Sequence, residues 1–293
     1  MRAGNFEAAW KISDQVLRQR LRTRHIWWRE PRHLQPVWSG IPLAGKRVLV
    51  RCYHGLGDTI QFVRFAKPLR ELAREVLVWA QPALVPILQT VEGTNRVLPL
   101  HDGVPDVLYD ADIEIMELPH ALRTTLRSLP AHVPYLRNSR PREIPMPAID
   151  GLRVGLVWES GPWDSRRSVP IASLAALADV PGIRLFSLQR GPARAQADLF
   201  GAIDISCGDV RETAARMACL DLIVSVDTMA AHLAGALGLP VWTLLHADCD
   251  WRWMDRTENT PWYPTMRLFR QPRAGDWPSV IERIRGDLRR QLL

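Results

Sequence analysis

Lysine is nearly missing from this chain. Of 38 basic residues only Lys11, Lys46 and Lys67 are lysines, and the rest are arginines. The formal surplus of +7 therefore rests on guanidinium groups, whose planar fork suits phosphate and carboxylate. That points to an anionic partner, a nucleotide, an anionic lipid or a nucleic acid, although a basic surface kept for solubility explains the charge equally well. No nucleic-acid-binding motif accompanies the arginines, so no nucleic-acid partner is expected. Cysteine is sparse: Cys52, Cys207, Cys219 and Cys249 form no CxxC pair and have no histidine near them at zinc spacing. A zinc module is excluded on that pattern, and the thiols are expected to be reduced and mostly buried. No apolar run approaches the roughly 20 residues of a membrane span. The opening MRAGNFEAAWK lacks the apolar core of a signal peptide. A cytoplasmic location is expected, with docking on the inner membrane face left open.

What is present is a chain of 293 residues, 47% of them hydrophobic, enough for two domains with real cores. Residues 4–26 place Phe6, Ala9, Trp10, Ile12, Val16, Leu17 and Leu21 at helical spacing. The stretch GNFEAAW resembles the start of a tetratricopeptide repeat, either the remnant of an array or one half of a lone helix pair. A linker rich in Pro and Trp follows, and then strands and helices alternate. Strands are expected at 47–51, 76–80, 96–100 and 110–117, with helices at 59–72 and 83–91. The polar, proline-rich stretch 138–151 reads as an interdomain linker. The alternation then restarts, with strands at 152–158, 183–189, 221–227 and 240–245. Helices are expected at 171–180, 212–220 and 229–238, and a final amphipathic helix is capped by Asp276. Such alternation implies parallel sheets with helices on their faces. A ligand is expected in the crevice between two such units, at the carboxyl ends of strands.

Four stretches carry chemistry-bearing residues. In GLGD (55–58), Asp58 stands where a strand gives way to a helix, as a cap or as a working carboxylate in a cleft. The third glycine of a dinucleotide fingerprint is missing there. In DLIVSVDTMAAHLAGALGLPVWTLL (221–245), Asp227 or Thr228 can cap a helix of small residues whose N-terminus suits a phosphate, and His232 lies one turn further on. A cap plus a buried histidine explains that pattern as well. The loop after the strand at 152–158 carries Ser160, Gly161, Ser165, Arg166, Arg167 and Ser168, able to cradle a diphosphate or simply to face solvent. Trp251, Trp253, Trp262 and Tyr263 suit packing better than stacking on a base.

Taken in order, GLGDTIQFVRF, LRVGLVW, SVPIASLAAL, FSLQRGP, DLIVSVDTMAAHLAGALGLPVWTLL, DWRW and NTPWYPTMRLFRQP resemble family 9 glycosyltransferases, the ADP-heptose:lipopolysaccharide heptosyltransferases. The match covers about residues 40–285 and is nearest to bacterial proteins that place such a domain after tetratricopeptide repeats. The resemblance implies an α/β GT-B fold of two Rossmann-like domains facing across a cleft. Its expected layout is a helical extension (1–43), an acceptor domain (44–145), a donor-binding domain (146–275) and a C-terminal helix (276–293). It implies an inverting, metal-independent transferase with no cofactor, using a nucleoside-diphosphate sugar, an ADP-sugar by family default. Asp58 falls on the family's essential aspartate. Gly57, Ser160, Arg167, Gln189, Asp227, Thr228 and His232 are expected on the donor side, His54 and Gln61 on the acceptor side. The expected acceptor is a glycan, a lipid-linked sugar or a protein, with peripheral membrane contact compatible. A protein-modifying transferase and a non-catalytic sugar-nucleotide-binding scaffold are the alternatives. This chain departs from the family at Met229, where glycine is common, at Arg167, where lysine is usual, and at Tyr53-His54, where repeat-linked relatives often have Glu-Gln.

Overall fold

The computed structural model describes every residue except 24–25, 139–145, 148–149, 256 and 293, and nothing of the Trp27 side chain. Most of the expected linker 138–151 therefore lies outside the described residues, as do the last residues of the helix expected over 4–26. The chain divides into two compact units, Met1–Arg137 and Asn138–Leu293.

The first unit opens with α1 (Phe6–Arg22), capped by the Asn5 side chain, which accepts the Ala8 N–H at 3.0 Å. Its inward face buries Phe6 and Trp10, and the Trp10 indole N–H donates to the Thr124 carbonyl at 2.6 Å. Two short 3-10 turns, Trp27–Arg29 and Arg32–Leu34, follow. No second helix of the expected pair forms among the described residues before residue 47, in a stretch where Pro31, Pro36 and Pro42 interrupt helical bonding.

Then come β1 (Arg47–Arg51), α2 (Leu56–Phe62), α3 (Ala66–Leu72), β2 (Glu75–Ala80), α4 (Val85–Leu88), β3 (Arg96–Pro99), β4 (Ala111–Glu114) and α5 (Leu118–Ala121). The strands form one parallel sheet in the order β3-β2-β1-β4. Val48, Leu49 and Val50 of β1 are almost inaccessible; a parallel strand covered on both faces reads as an unbroken apolar run. The helix expected over 59–72 starts three residues earlier and is split by a 3-10 turn at Val63–Phe65. Pro68 explains the split: it has no N–H for the carbonyl four residues back, and it is tolerated only in the first turn of a new helix. Pro86 shortens α4 in the same way. The strand expected over 110–117 stops at Glu114. There the Glu114 carboxyl accepts the Met116 N–H and the Glu117 carboxyl accepts the Glu114 N–H, so side chains take backbone groups that a ladder would need.

The second unit runs β5 (Leu152–Val157), α6 (Ile171–Ala178), β6 (Ile183–Ser187), β7 (Ile203–Asp204), α7 (Val210–Met217), β8 (Leu222–Val226), α8 (Met229–Ala236), β9 (Val241–Leu245), β10 (Met266–Arg270) and α9 (Trp277–Gln291). Its six parallel strands lie in the order β10-β9-β8-β5-β6-β7. The edge strands β7 and β10 are additions to the sequence reading. Asp276 caps α9 as expected, accepting the Ser279 N–H at 3.2 Å. Cys52 and Cys249 are buried, Cys207 and Cys219 are partly exposed, and none of the four is in a disulfide.

Both sheets reverse direction at an inner strand. The chain winds from β1 towards β2 and later returns to lay β4 on the other side of β1. Likewise it winds from β5 towards β6 and returns to lay β8 beside β5. Ligands of open parallel sheets collect at the carboxyl ends of strands at such switch points.

Candidate functional site

The second unit gathers around its switch point the residues expected on the donor side, except Gly57, which lies in the first unit. β8 ends at Val226, and Asp227 and Thr228 lead at once into α8. The backbone carbonyl of Asp227 accepts from an Arg167 guanidinium nitrogen at 2.6 Å. A cation from the loop after β5 is thereby planted at the start of α8, where the helix dipole is positive. The exposed Trp163 indole lies over the same guanidinium, 4.1 Å from its carbon to the ring centre.

The Asp227 side chain turns inward rather than capping the helix. It accepts from the Trp253 indole N–H at 2.8 Å and lies 3.6 Å from His232 Nε2. Burial by itself would raise its pKa. The hydrogen bond and charge of His232, the charge of Arg252 and the Trp253 N–H overcome that and hold the carboxyl at about 2. His232 is itself fixed: its ring stacks on Trp253 with centres 5.3 Å apart, and Nδ1 shares a 3.0 Å hydrogen bond with the Tyr263 hydroxyl. Trp253, Trp262 and Tyr263 are wholly buried and Trp251 partly so, in line with packing, and Trp253 and Tyr263 form the floor beneath α8.

Thr228 is the N-cap residue of α8, but its hydroxyl makes no capping bond and instead lies 3.3 Å from the Ser225 hydroxyl. Neither side chain named as a cap therefore serves as one, and the first N–H groups of α8 are not taken by either. Met229, at the first helical position, is partly exposed.

Ser160 and Gln189 shape the loop after β5. The Ser160 hydroxyl donates to the Asp164 carbonyl at 3.0 Å. The buried Gln189 carbonyl oxygen accepts the N–H groups of Trp158 and Glu159, both at 2.9 Å, while its amide donates to the Arg190 carbonyl at 2.8 Å. Both therefore act on the backbone that carries Arg167.

Small residues let α8 lie close to this floor. A Cβ added at Gly235 would stand 2.5 Å from the Tyr263 ring, which is buried and tied to His232. Gly235→Ala is expected to cost about 1–3 kcal/mol by overpacking, read as a lowered melting temperature. An unchanged melting temperature would show that the ring has room to move.

The first unit places Asp58 inside the first turn of α2 rather than ahead of it. Its carboxylate accepts the Gly55 N–H at 3.0 Å, reaching back to the residue that caps the helix. Gly55 and Gly57 are not in the left-handed backbone region, so they are not needed for a strained turn. A Cβ at Gly55 would lie 3.2 Å from the Asp58 carboxylate, and bareness there permits this contact. Gly57 lies in the same first turn, partly exposed, and Gln61, one turn on, is wholly buried. His54 stands on the loop between β1 and α2. Its carbonyl accepts from the Gln81 amide at 2.6 Å, and Gln81 in turn accepts from the Thr59 hydroxyl at 3.0 Å. Gln81, at the end of β2, thus braces the loop that presents Asp58; nothing in the sequence marks it.

Among the described residues no group of three or more His, Cys, Asp or Glu side chains suits a metal ion. The step Asp110-Ala111-Asp112 is held by arginines: Arg47 and Arg74 on Asp110, at 3.0 and 3.2 Å, and Arg51 on Asp112 at 2.7 Å.

No protein-family model matches the chain. It is 26% identical over 287 residues to Protein FlbA of Caulobacter vibrioides, an alignment covering 86% of this chain and 48% of that protein. The chain thus spans about half the length of this curated relative. Among solved structures it superposes on the E. coli ADP-heptose lps heptosyltransferase II with a TM-score of 0.61 at 12% identity, covering 84% of this chain and all (100%) of that one. For TibC, an iron-containing dodecameric glycosyltransferase of enterotoxigenic E. coli, the TM-score is 0.60 at 14% identity, over 86% of this chain and 79% of that one. For a family 9 glycosyl transferase of Veillonella parvula the TM-score is 0.54 at 13% identity, over 79% and 87%. The chain therefore has the α/β GT-B fold of the family 9 glycosyltransferases and ADP-heptose heptosyltransferases it resembles.

Proposed function

We propose that the chain is an inverting glycosyltransferase that takes a nucleoside-diphosphate sugar, an ADP-heptose-like donor by its structural likeness, and passes the sugar to an acceptor hydroxyl of a surface glycan such as lipopolysaccharide. The donor lies on the second unit and the acceptor on the first. The acceptor oxygen attacks the anomeric carbon from the face opposite the diphosphate, and Asp58 takes the hydroxyl proton as that bond forms. The carbon–oxygen bond to the diphosphate breaks, and the nucleoside diphosphate leaves with the electron pair. Arg167 and the first N–H groups of α8 stabilise the charge that develops on it.

The observation that carries this reading is the Arg167 guanidinium held on the Asp227 carbonyl at the switch point between β5 and β8. Arg167→Ala is expected to weaken ADP binding by about 1.5–3 kcal/mol, the value of a charge-assisted hydrogen bond, measured by calorimetric titration. Unchanged affinity would remove Arg167 from the site.

With its positive charge supplied by arginine and helix, the reaction runs without a metal. The arginines on Asp110 and Asp112 support this, since they engage the carboxylates of the Asp-x-Asp step. Treatment with EDTA is expected to leave transfer unchanged; a loss restored by magnesium or manganese would contradict it. No described helix is long and apolar enough to cross a membrane.

A further inference from the structure

The switch point of the first unit holds a carboxyl that the reading above does not use. Glu114 ends β4, next to the end of β1, and only 2% of it is exposed. One oxygen accepts the Met116 N–H at 2.8 Å and the other the Tyr53 N–H at 3.4 Å. The oxygen bonded to Met116 also lies 3.5 Å from His54 Nε2, and the His54 side chain is 29% exposed. A buried acid thus meets a half-buried imidazole on the loop that runs directly to Asp58.

We propose that Glu114 is a positioning residue for the acceptor side: paired with His54, it holds the imidazole and one shared proton against the loop leading to Asp58, so that His54 meets the hydroxyl that Asp58 deprotonates. The proposal rests on the reading of Asp58 as the base.

The surroundings favour a shared proton. Burial pushes the Glu114 carboxyl up to about 8, and the charges of Glu117 and Asp58 push the same way, against the N–H bonds of Met116 and Tyr53. The facing groups are Cys52 at the end of β1, His54 on the loop, Asp58 on α2 and Glu117 on the following turn. The Cys52 thiol is pushed up by burial and then by the Glu114 charge. Glu117 is pushed up by burial and is met on its far side by Arg20 at 3.5 Å. None of these supplies a fixed cation to Glu114, so the carboxyl stays buried by holding a proton near neutral pH, and His54 Nε2, 3.5 Å away, is the side chain placed to share it.

The test is Glu114→Gln. The amide keeps the shape, but its single oxygen can accept only one of the Met116 and Tyr53 N–H bonds, and it cannot share the proton. Imidazole resonances of the 15N-labelled protein, with His54 assigned from the His54→Gln spectrum, are followed across pH. In Glu114→Gln the His54 midpoint is expected to fall by on the order of one pH unit, because its acidic partner is gone. Transfer should lose roughly 10–100-fold in kcat/KM for the acceptor, with the donor KM unchanged. A His54 midpoint identical in both proteins would overturn the pairing. Should Glu114→Gln not fold, the Glu114 carboxyl is followed by 13C in His54→Gln: its midpoint should rise, and an unmoved midpoint overturns the proposal. A parental protein that transfers no sugar would remove the glycosyltransferase reading, and the His54 titration would still decide the pair. Transfer with an unmoved titration would remove the pair alone.

Discussion

Asp58→Asn is expected to keep its fold and its nucleotide affinity while turnover falls by roughly 10²–10⁴-fold, the usual size of a general acid–base contribution. Asp58 accepts the Gly55 N–H at the start of α2, and an asparagine carbonyl can accept the same bond. That bond survives in the amide; the capacity to take a proton does not. Nucleotide binding, assigned to the second unit, should not change. The check is a melting curve, an ADP titration and a transfer assay on one purified variant. A much lower melting temperature would make Asp58 chiefly a helix-closing residue. Transfer at the parental rate would show that another group takes the proton, and His54 would then be the nearest candidate.

His232→Ala should be the more damaging change to stability. His232 is buried, packed on Trp253, bonded to Tyr263 and aimed at the Asp227 carboxylate. Removing it leaves a buried carboxylate with the Trp253 N–H and the more distant charge of Arg252. Breaking a buried pair on one side costs about 3–5 kcal/mol. The pH dependence follows from the low folded pKa of Asp227, about 2 against an ordinary 3.8. A depressed carboxyl stabilises the fold above its unfolded pKa, and that contribution, about 2 kcal/mol, drains as pH falls from near 4 towards 2. The stability gap between the parental protein and His232→Ala should therefore narrow as pH falls from near 4 towards 2 and Asp227 takes up a proton. Urea melts at several pH values read this directly. A gap that stays constant from neutrality to pH 3 would mean that His232 contributes by packing alone.

Local signals were legible in the sequence where local chemistry decides the outcome. The run RVLVR is a strand over its full predicted length, because the centre of a parallel strand buried on both faces is apolar, and Asp276 caps α9 where its side chain predicts a cap. Pro68 and Pro86 are visible in the sequence too, and they break up the helices that apolar periodicity alone predicts over 59–72 and 83–91. β10 was hidden because MRLFR sits inside a tract dominated by tryptophan and tyrosine. The site was legible only as residue types. Arg167 and Asp227 are 60 positions apart, and Glu114 and His54 likewise meet only when β4 is laid beside β1. Nothing local in DADIEIME shows that Glu114 loses its water, because burial is a property of the neighbours that the sheet order brings.

The central claim is that this chain cleaves a nucleoside-diphosphate sugar at a site built on Arg167 and α8, with Asp58 as the base. Phosphorus NMR for released ADP together with proton NMR for the anomeric configuration of the product, on the parental protein mixed with ADP-heptose and lipid-linked or peptide acceptors, tests it most directly. The expected result is ADP released with sugar transferred to an acceptor hydroxyl in the inverted anomeric form, and no release with Asp58→Asn. A parental protein that binds ADP yet leaves the donor intact with every acceptor would contradict the account and make the chain a sugar-nucleotide-binding scaffold.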